Sequence, residues 1–162
     1  MRHVLSIVVD NRPGVLGRVV GLFSRRGYNI DSLSVGTSED HRYSRITVSL
    51  QGDEQVVEQI QKQVAKLVDA TEVTELKPDS AIYRELCLIK IEANATSRSD
   101  IFNIATVFRA NIVDVSTKTI TMELTGDLDK INALAELMKP YKIIEIVRTG
   151  LTAISRGTVN FY

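Results

Sequence analysis

The 162-residue chain has one cysteine, two histidines and no tryptophan, and its 20 basic side chains balance 20 acidic ones. A single cysteine excludes an intramolecular disulfide framework, and two histidines argue against a zinc site built from cysteine and histidine. Zero net charge gives no general attraction to nucleic acid or to anionic lipid. No apolar run reaches the ~18 residues that a membrane-spanning helix needs, and no signal-peptide pattern is visible. These absences predict a soluble, reduced, cytoplasmic protein with neither nucleic acid nor membrane as partner.

The residues that are present alternate between strand-like and helix-like spacing. Hydrophobic residues make up 44% of the chain, which is enough for real cores. In the first half the pattern predicts the order β-α-β-β-α-β, with strands over 4–9, 28–35, 43–50 and 71–76 and helices over 15–23 and 56–68. The segment Lys77-Pro78-Asp79-Ser80 is polar and interrupted by proline, and so predicts a linker.

The second half repeats this order with strands over 87–93, 112–115, 120–124 and 143–147 and helices over 101–108 and 128–138. Asn-Ile at 29 recurs at 111, and Gly-Asp at 52 recurs at 126. The repeat predicts an α+β protein of two tandem ferredoxin-like (βαββαβ) units, one over residues 4–78 and one over 79–162. Residues 151–162 lack a clear period and are expected to form a turn or a mobile tail.

No catalytic or metal constellation is visible in the sequence. His3 lies in a predicted strand, His41 lies in a polar hairpin, and Cys87 lies in an apolar strand. A nucleophile needs a base within hydrogen-bonding distance, and a metal ion needs three or four ligands. We therefore predict neither a catalytic residue nor a metal site in this chain.

The segment Asp10-Asn11-Arg12-Pro13-Gly14-Val15-Leu16 joins the first predicted strand to the first predicted helix. Free backbone N–H groups point outward at such a helix start, and a glycine lets a ligand approach the backbone closely. These features favour a small anion site, sized for a carboxylate, and Asn11 adds both a donor and an acceptor. An ordinary turn with nothing bound is the alternative that the pattern leaves open.

The equivalent segment of the second half, Asn94-Ala95-Thr96-Ser97-Arg98-Ser99-Asp100, has no Pro-Gly pair and carries an acid at the predicted helix start. Either Ser97 or Ser99 could cap that helix. An anionic ligand would be repelled there, so a carboxylate is expected in the first half. Asn29, which begins the next strand of the first half beside Ile30, is suited either to capping a turn or to contacting a ligand's ammonium group across an interface.

The loop, together with Gly27-Tyr28-Asn29-Ile30, resembles the ACT-domain family of amino-acid-binding modules. More narrowly, the chain is similar over almost its whole length to the regulatory (small) subunits of acetolactate synthase, including Ser44-Arg45-Ile46-Thr47 and Ser155-Arg156-Gly157. This resemblance implies a subunit without an active site of its own. It implies that the chain activates a catalytic (large) subunit and confers feedback inhibition by valine in the biosynthesis of valine, leucine and isoleucine. Thiamine diphosphate, magnesium and FAD are expected in the catalytic partner, and no cofactor is expected in this chain.

The resemblance also implies a ligand site between the ACT modules of a homodimer. Carried over by position, Asn11, Gly14, Val15 and Leu16 of one chain face Asn29 and Ile30 of the other. Backbone N–H groups would bind the valine carboxylate, the amides its ammonium group and the apolar residues its side chain. The alternative is a tandem-ACT amino-acid sensor or transcriptional regulator, which would share the loop and lack the catalytic partner.

Overall fold

The structure, a computed structural model, describes residues 1–157. These residues fold into two compact units. The first unit contains residues 1–83 and also the described residues from 151 onward, and the second contains residues 84–150. Each unit has its own hydrophobic core beneath a pair of helices.

The first unit follows the predicted βαββαβ order, with elements β1 (Arg2–Asp10), α1 (Val15–Arg25), β2 (Ile30–Thr37), β3 (Tyr43–Gln51), α2 (Glu54–Val64) and β4 (Ala70–Glu75). The four strands form an antiparallel-paired sheet in the order β2-β3-β1-β4. Alternate residues of β1 face the helices, and Ile7 lies opposite both Ile46 and Val73 in neighbouring strands. These residues pack with α1 and α2 in one hydrophobic core, which holds the sheet against the helices, and the β1–α1 loop lies where β1 ends.

Local sequence explains where these helices begin and end. Gly27 adopts a left-handed conformation with φ of 71° directly after α1, a conformation that glycine takes at little cost. The Asp53 carboxylate accepts a 2.8 Å hydrogen bond from the Val56 amide and thereby caps α2. Both features have a local cause in the residues at the helix ends.

The second unit repeats the order with β5 (Ala81–Glu92), α3 (Arg98–Phe108), β6 (Asn111–Val115), β7 (Thr119–Gly126), α4 (Leu128–Met138) and β8 (Ile143–Arg148). Its strands run in the order β6-β7-β5-β8, and the Asp127 carboxylate caps α4 through the Lys130 amide. The predicted fold class, two tandem ferredoxin-like units, is confirmed.

The division between the units differs from the predicted one at residue 78. The last described residues form a ninth strand, β9 (Thr152–Ser155), which pairs with β5. This strand belongs to the first unit, as do residues 81–83 at the beginning of β5. Leu151 packs with Val4 and Leu76, and its amide and carbonyl bond to the hydroxyls of Ser32 and Ser34. These contacts cover part of the face of the first sheet that the helices leave open. The predicted turn or tail therefore contributes a strand to the first unit, whereas residues 158–162 lie outside the described residues.

Candidate functional site

The β1–α1 loop turns into the helix at Gly14, which adopts a left-handed conformation with φ of 85° and ψ of −13°. No side chain of the described residues caps the helix at this position. The first bond of the helix runs from the Arg18 amide to the Gly14 carbonyl. Within residues 1–157 the amides of Gly14, Leu16 and Gly17 have no hydrogen-bond acceptor. The helix start therefore presents free N–H donors at the positive end of its dipole, which suits an anion.

Neighbouring segments hold the loop on both sides. The Asn11 amide donates to the Arg42 carbonyl at 2.7 Å, and the Asn11 Nδ2 donates to the His41 carbonyl at 2.9 Å. The Asp10 amide donates to the Asp69 carbonyl at 2.9 Å. One Nδ2 hydrogen of Asn11 is used in this bond, and its Oδ1 is an acceptor suited to an ammonium group.

Two arginines of the loop and of α1 converge on one aspartate. Arg18 Nε lies 2.7 Å from Asp69 Oδ2, and Arg12 Nη2 lies 3.1 Å from Asp69 Oδ1 and 2.5 Å from Asp10 Oδ2. The Asp69 side chain is mostly buried, whereas both arginine side chains are more than half exposed. The hydrogen bond from Arg18 lowers the pKa of Asp69, and the same bond raises the pKa of Arg18. Asp69 therefore stays ionised and holds both arginines beside the free amides.

The two apolar residues of the predicted site differ in exposure. Val15 is 2% exposed and packs in the core of the first unit, and its amide donates to the Arg12 carbonyl at 3.4 Å. Leu16 is 37% exposed. Of the two, Leu16 is the residue that can contact a ligand with its side chain, while Val15 anchors the helix start.

Asn29 and Ile30 lie at the other end of the same sheet. Asn29 is exposed, and Ile30 opposes Leu50, which in turn opposes His3 at the beginning of β1. Asp10, where the loop begins, is seven residues further along β1, which corresponds to about 23 Å of strand. One chain therefore does not bring Asn29 and Ile30 to the loop, and the predicted grouping of all six residues requires two copies.

The matching loop of the second unit binds its own backbone. The Asn94 Oδ1 accepts hydrogen bonds from the amides of Thr96 and Ser97, at 3.0 and 2.9 Å. Ser97, one of the two serines that the sequence suggests as a cap, occupies the cap position. Its carbonyl accepts the Ile101 amide of the helix, whereas its hydroxyl accepts a bond from the Asn94 amide instead of capping α3. Asp100 adds a carboxylate to the first turn of α3. This loop thus supplies its own acceptors where the first loop leaves donors free.

Two residues considered for catalysis have structural roles, Cys87 in a packed core and His3 in a pair with a glutamate. Cys87 is fully buried in the core of the second unit, and burial raises the pKa of its thiol. His3 Nδ1 pairs with Glu75 at 2.6 Å on a strand of the first sheet. In residues 1–157 no three His, Cys, Asp or Glu side chains cluster as metal ligands. Among the described helices, none is both long and apolar enough to cross a membrane.

Sequence reasoning did not identify Arg18 or Asp69 as part of the loop's environment. Arg18 follows Gly14 by four residues, so helical spacing could have placed its side chain above the glycine. Asp69 lies 51 residues after Arg18, in the turn before β4, and no local pattern connects them. Tyr28, in the segment before β2, also has a partner that no local pattern predicts, since its hydroxyl donates to Gln59 of α2 at 3.2 Å.

Both halves of the chain match known protein families. Residues 5–72 match the family model described as the AHAS small subunit-like ACT domain, and residues 84–157 match the model for the small subunit of acetolactate synthase. The chain is 45% identical to the acetolactate synthase small subunit of Mycolicibacterium smegmatis, over 96% of this chain and 91% of that protein. It is 44% identical to the acetolactate synthase isozyme 3 small subunit of Salmonella typhimurium, over 97% of each.

A solved structure agrees over the whole described fold. The crystal structure of the acetolactate synthase small subunit from Thermotoga maritima is 38% identical in sequence and superposes with a TM-score of 0.91. That comparison covers 98% of this chain and 99% of the other. With full-length relatives above 40% identity and both halves matched by family models, the chain belongs to the family of acetolactate synthase small subunits.

Proposed function

We propose that the chain is the regulatory subunit of an acetolactate synthase, which activates the catalytic subunit and makes it sensitive to feedback inhibition by valine. The observation that carries the proposal is the β1–α1 loop, where the amides of Gly14, Leu16 and Gly17 are free at a helix start. Such donors suit the carboxylate of an amino acid. Its membership of the small-subunit family supplies the regulatory context.

The groups near the loop match the remaining parts of a small apolar amino acid. Asn11 offers Oδ1 to an ammonium group, and the partly exposed Leu16 offers an apolar surface. In the proposed site, Asn29 and Ile30 come from a second chain and close the pocket over the ligand. A site of this composition favours an aliphatic amino acid over a charged or large one.

Sheet topology suggests how two chains would form this site. β2 is an edge strand of the first sheet, and Val35 on it is 50% exposed. An exposed edge strand is a ready partner for the same strand of a second copy. Antiparallel pairing of two β2 strands about a twofold axis would bring Asn29 of one copy to the loop end of the other. We therefore propose a homodimer through the first unit, with two valine sites related by symmetry.

The proposed catalytic partner carries the chemistry. In this proposal the large subunit uses thiamine diphosphate, magnesium and FAD to condense two pyruvates, or pyruvate with 2-oxobutyrate, in the cytoplasm. The small subunit transmits the presence of valine to that enzyme, so pathway flux falls when the end product accumulates.

The test is titration of the purified full-length chain with valine, leucine and isoleucine by calorimetry, followed by inhibition assays on the reconstituted synthase. We expect saturable binding of valine and a matching inhibition of acetolactate formation. A chain that binds valine and neither associates with the large subunit nor changes its activity would favour the tandem-ACT sensor or transcriptional regulator. Absence of binding to all three amino acids would contradict the proposed ligand.

A further inference from the structure

We propose that Arg18, held in place by Asp69, binds the carboxylate of the effector and makes the site selective for a free amino acid over its amide, which lacks the negative charge. The inference rests on the proposed function, because it assigns a further residue to the same loop. In this inference Arg18 contacts the ligand, and Asp69 positions Arg18.

The Asp69 carboxylate holds arginine side chains beside the loop. The residue is 8% exposed, and its two carboxylate oxygens bond to different arginines, Oδ2 to Arg18 and Oδ1 to Arg12. Its carbonyl accepts the Asp10 amide, so the same residue also fixes the end of β1. A mostly buried carboxylate bonded in this way keeps its partners in a defined geometry.

Arg18 uses only part of its guanidinium for this bond. Nε donates to Asp69, while Nη1 lies 3.5 Å from the position that a Cβ on Gly14 would occupy. Within the described chain Nη1 and Nη2 have no acceptor, and the side chain is 53% exposed. The planar guanidinium has donors in a fixed fork that matches a carboxylate. A carboxylate over the free loop amides would therefore meet a positioned cation on the same side.

Arg12 does not have this freedom. Its Nη2 donates to two carboxylates, those of Asp10 and Asp69, and both neutralise its positive charge. Among residues 1–157 Arg18 has a single acidic partner, and its Nη1 lies at the open side of Gly14. The geometry thus assigns the carboxylate contact to Arg18 and leaves Arg12 as a support of the loop.

The experiment compares valine with valinamide, which keeps the ammonium group and the side chain and lacks the negative charge. Calorimetry on the full-length chain measures both ligands for the unaltered protein and for R18Q, R18K and D69N. K62Q is the matched control, because Lys62 is an exposed cation of the first unit paired with one acid, Glu58, on α2. Thermal unfolding by circular dichroism shows whether each variant is folded.

We expect R18Q to weaken valine binding by at least about tenfold, as for loss of a charge-assisted hydrogen bond, and to change valinamide binding by less than about threefold. R18K should recover part of the loss because it keeps the charge. D69N should weaken valine binding less than R18Q, and K62Q should bind like the unaltered chain.

Two results would overturn the inference while the proposed function stands. In one, the unaltered chain and R18Q bind valine equally. In the other, R18Q weakens valine and valinamide by the same factor, which is the signature of a structural role only. If the unaltered chain binds no branched-chain amino acid, the proposed function itself fails. R18K keeps the test decisive if R18Q does not fold, because an R18K chain that binds valine and valinamide equally well would also contradict a carboxylate contact.

Discussion

The two strand-to-helix loops of this chain begin from the same topology and end with opposite electrostatic character. In the first unit, Gly14 has no side chain and the helix start keeps free amides. In the second unit, the Asn94 side chain accepts two of the loop's amides and Asp100 adds a negative charge. In the part of the chain that the structure describes, the duplicated fold thus provides two similar positions, one with free amides and one whose amides bond to its own Asn94 side chain.

The arginines near the two loops show the same contrast. Arg18 is held by the Asp69 side chain, and its terminal nitrogens have no acceptor among residues 1–157. Arg98, in contrast, donates from Nη2 to the carbonyls of Ser116 and Thr117. The second arginine therefore ties its loop to the β6–β7 hairpin. Ligand binding depends on what each helix start leaves unsatisfied, and a shared fold does not determine that.

The largest expected effect comes from making the first loop resemble the second. Gly14→Asp places a carboxylate at the helix start where the valine carboxylate would lie, and two such charges ~4 Å apart repel by about 4 kcal/mol at an effective dielectric of ~20. Solvent reduces that figure, and about 1.4 kcal/mol already lowers affinity tenfold. We expect valine inhibition of the reconstituted synthase to be abolished and activation to persist.

The matched control adds the same charge to the second loop, in the variant Ala95→Asp. Its inhibition curve should coincide with that of the unaltered protein. Aspartate at φ of 85° costs about 1–2 kcal/mol in a left-handed conformation, so the unfolding temperature of the Gly14 variant must be measured beside the assay. An unaltered inhibition curve for the Gly14 variant would contradict the site assignment.

The second unit can be perturbed strongly without touching the proposed site. Arg148 donates from Nε and Nη2 to the two oxygens of Glu85, which is 4% exposed. Replacing Arg148 by methionine leaves a buried carboxylate without its cation, and we expect the free energy of unfolding to fall by about 3 kcal/mol. Urea denaturation followed by circular dichroism measures this. Valine affinity at low temperature, where the chain remains folded, should not change; a loss of affinity would place the second unit in the ligand site.

The predicted and observed division of the chain can be tested at β9. Leu151 is 5% exposed against Val4 and Leu76, so Leu151→Ala should lower the free energy of unfolding of the first unit by about 2 kcal/mol. Ile154, on the strand that follows, is 64% exposed, and its replacement by alanine should change stability by less than about 0.5 kcal/mol. Urea denaturation of the two variants compares them directly. Equal stabilities would show that β9 does not contribute to the first unit.

The burial pattern around β9 also explains which parts of the fold could be predicted from the sequence. The βαββαβ order of both halves, whose strands and helices have apolar residues with a clear period, was predicted correctly. β9 was missed because its small residue Ala153 is buried and its large residue Ile154 is exposed, which reverses the usual pattern. The boundary near Pro78 followed from composition, and composition does not reveal that a distant strand returns to the first unit.

Part of the candidate site could also be predicted from the sequence. Gly14 and its neighbours could be identified because a strand, a Pro-Gly pair and a helix occur in succession. The place of Asp69 beside this loop could not be identified, because it depends on a contact with Arg18 that forms only in the folded chain. The distance between Ile30 and the loop also needed the strand register, which shows that one chain cannot assemble the proposed site.

The smallest expected effect is that of pH, and it tests whether Asp69 maintains the first loop. The hydrogen bond from Arg18 lowers the pKa of Asp69 below the usual carboxylate value of 3.8. A carboxyl group with a lowered pKa in the folded state contributes stability above its unfolded pKa and loses it as pH falls through the folded value. Between about pH 5.5 and 8 Asp69 therefore stays ionised, and we expect valine affinity of the full chain to remain within about twofold. Below about pH 4 the unaltered protein should lose thermal stability more steeply than D69N, which has no charge to lose at this position. Parallel pH curves for the two proteins in that acidic range would show that Asp69 does not hold Arg18 in solution.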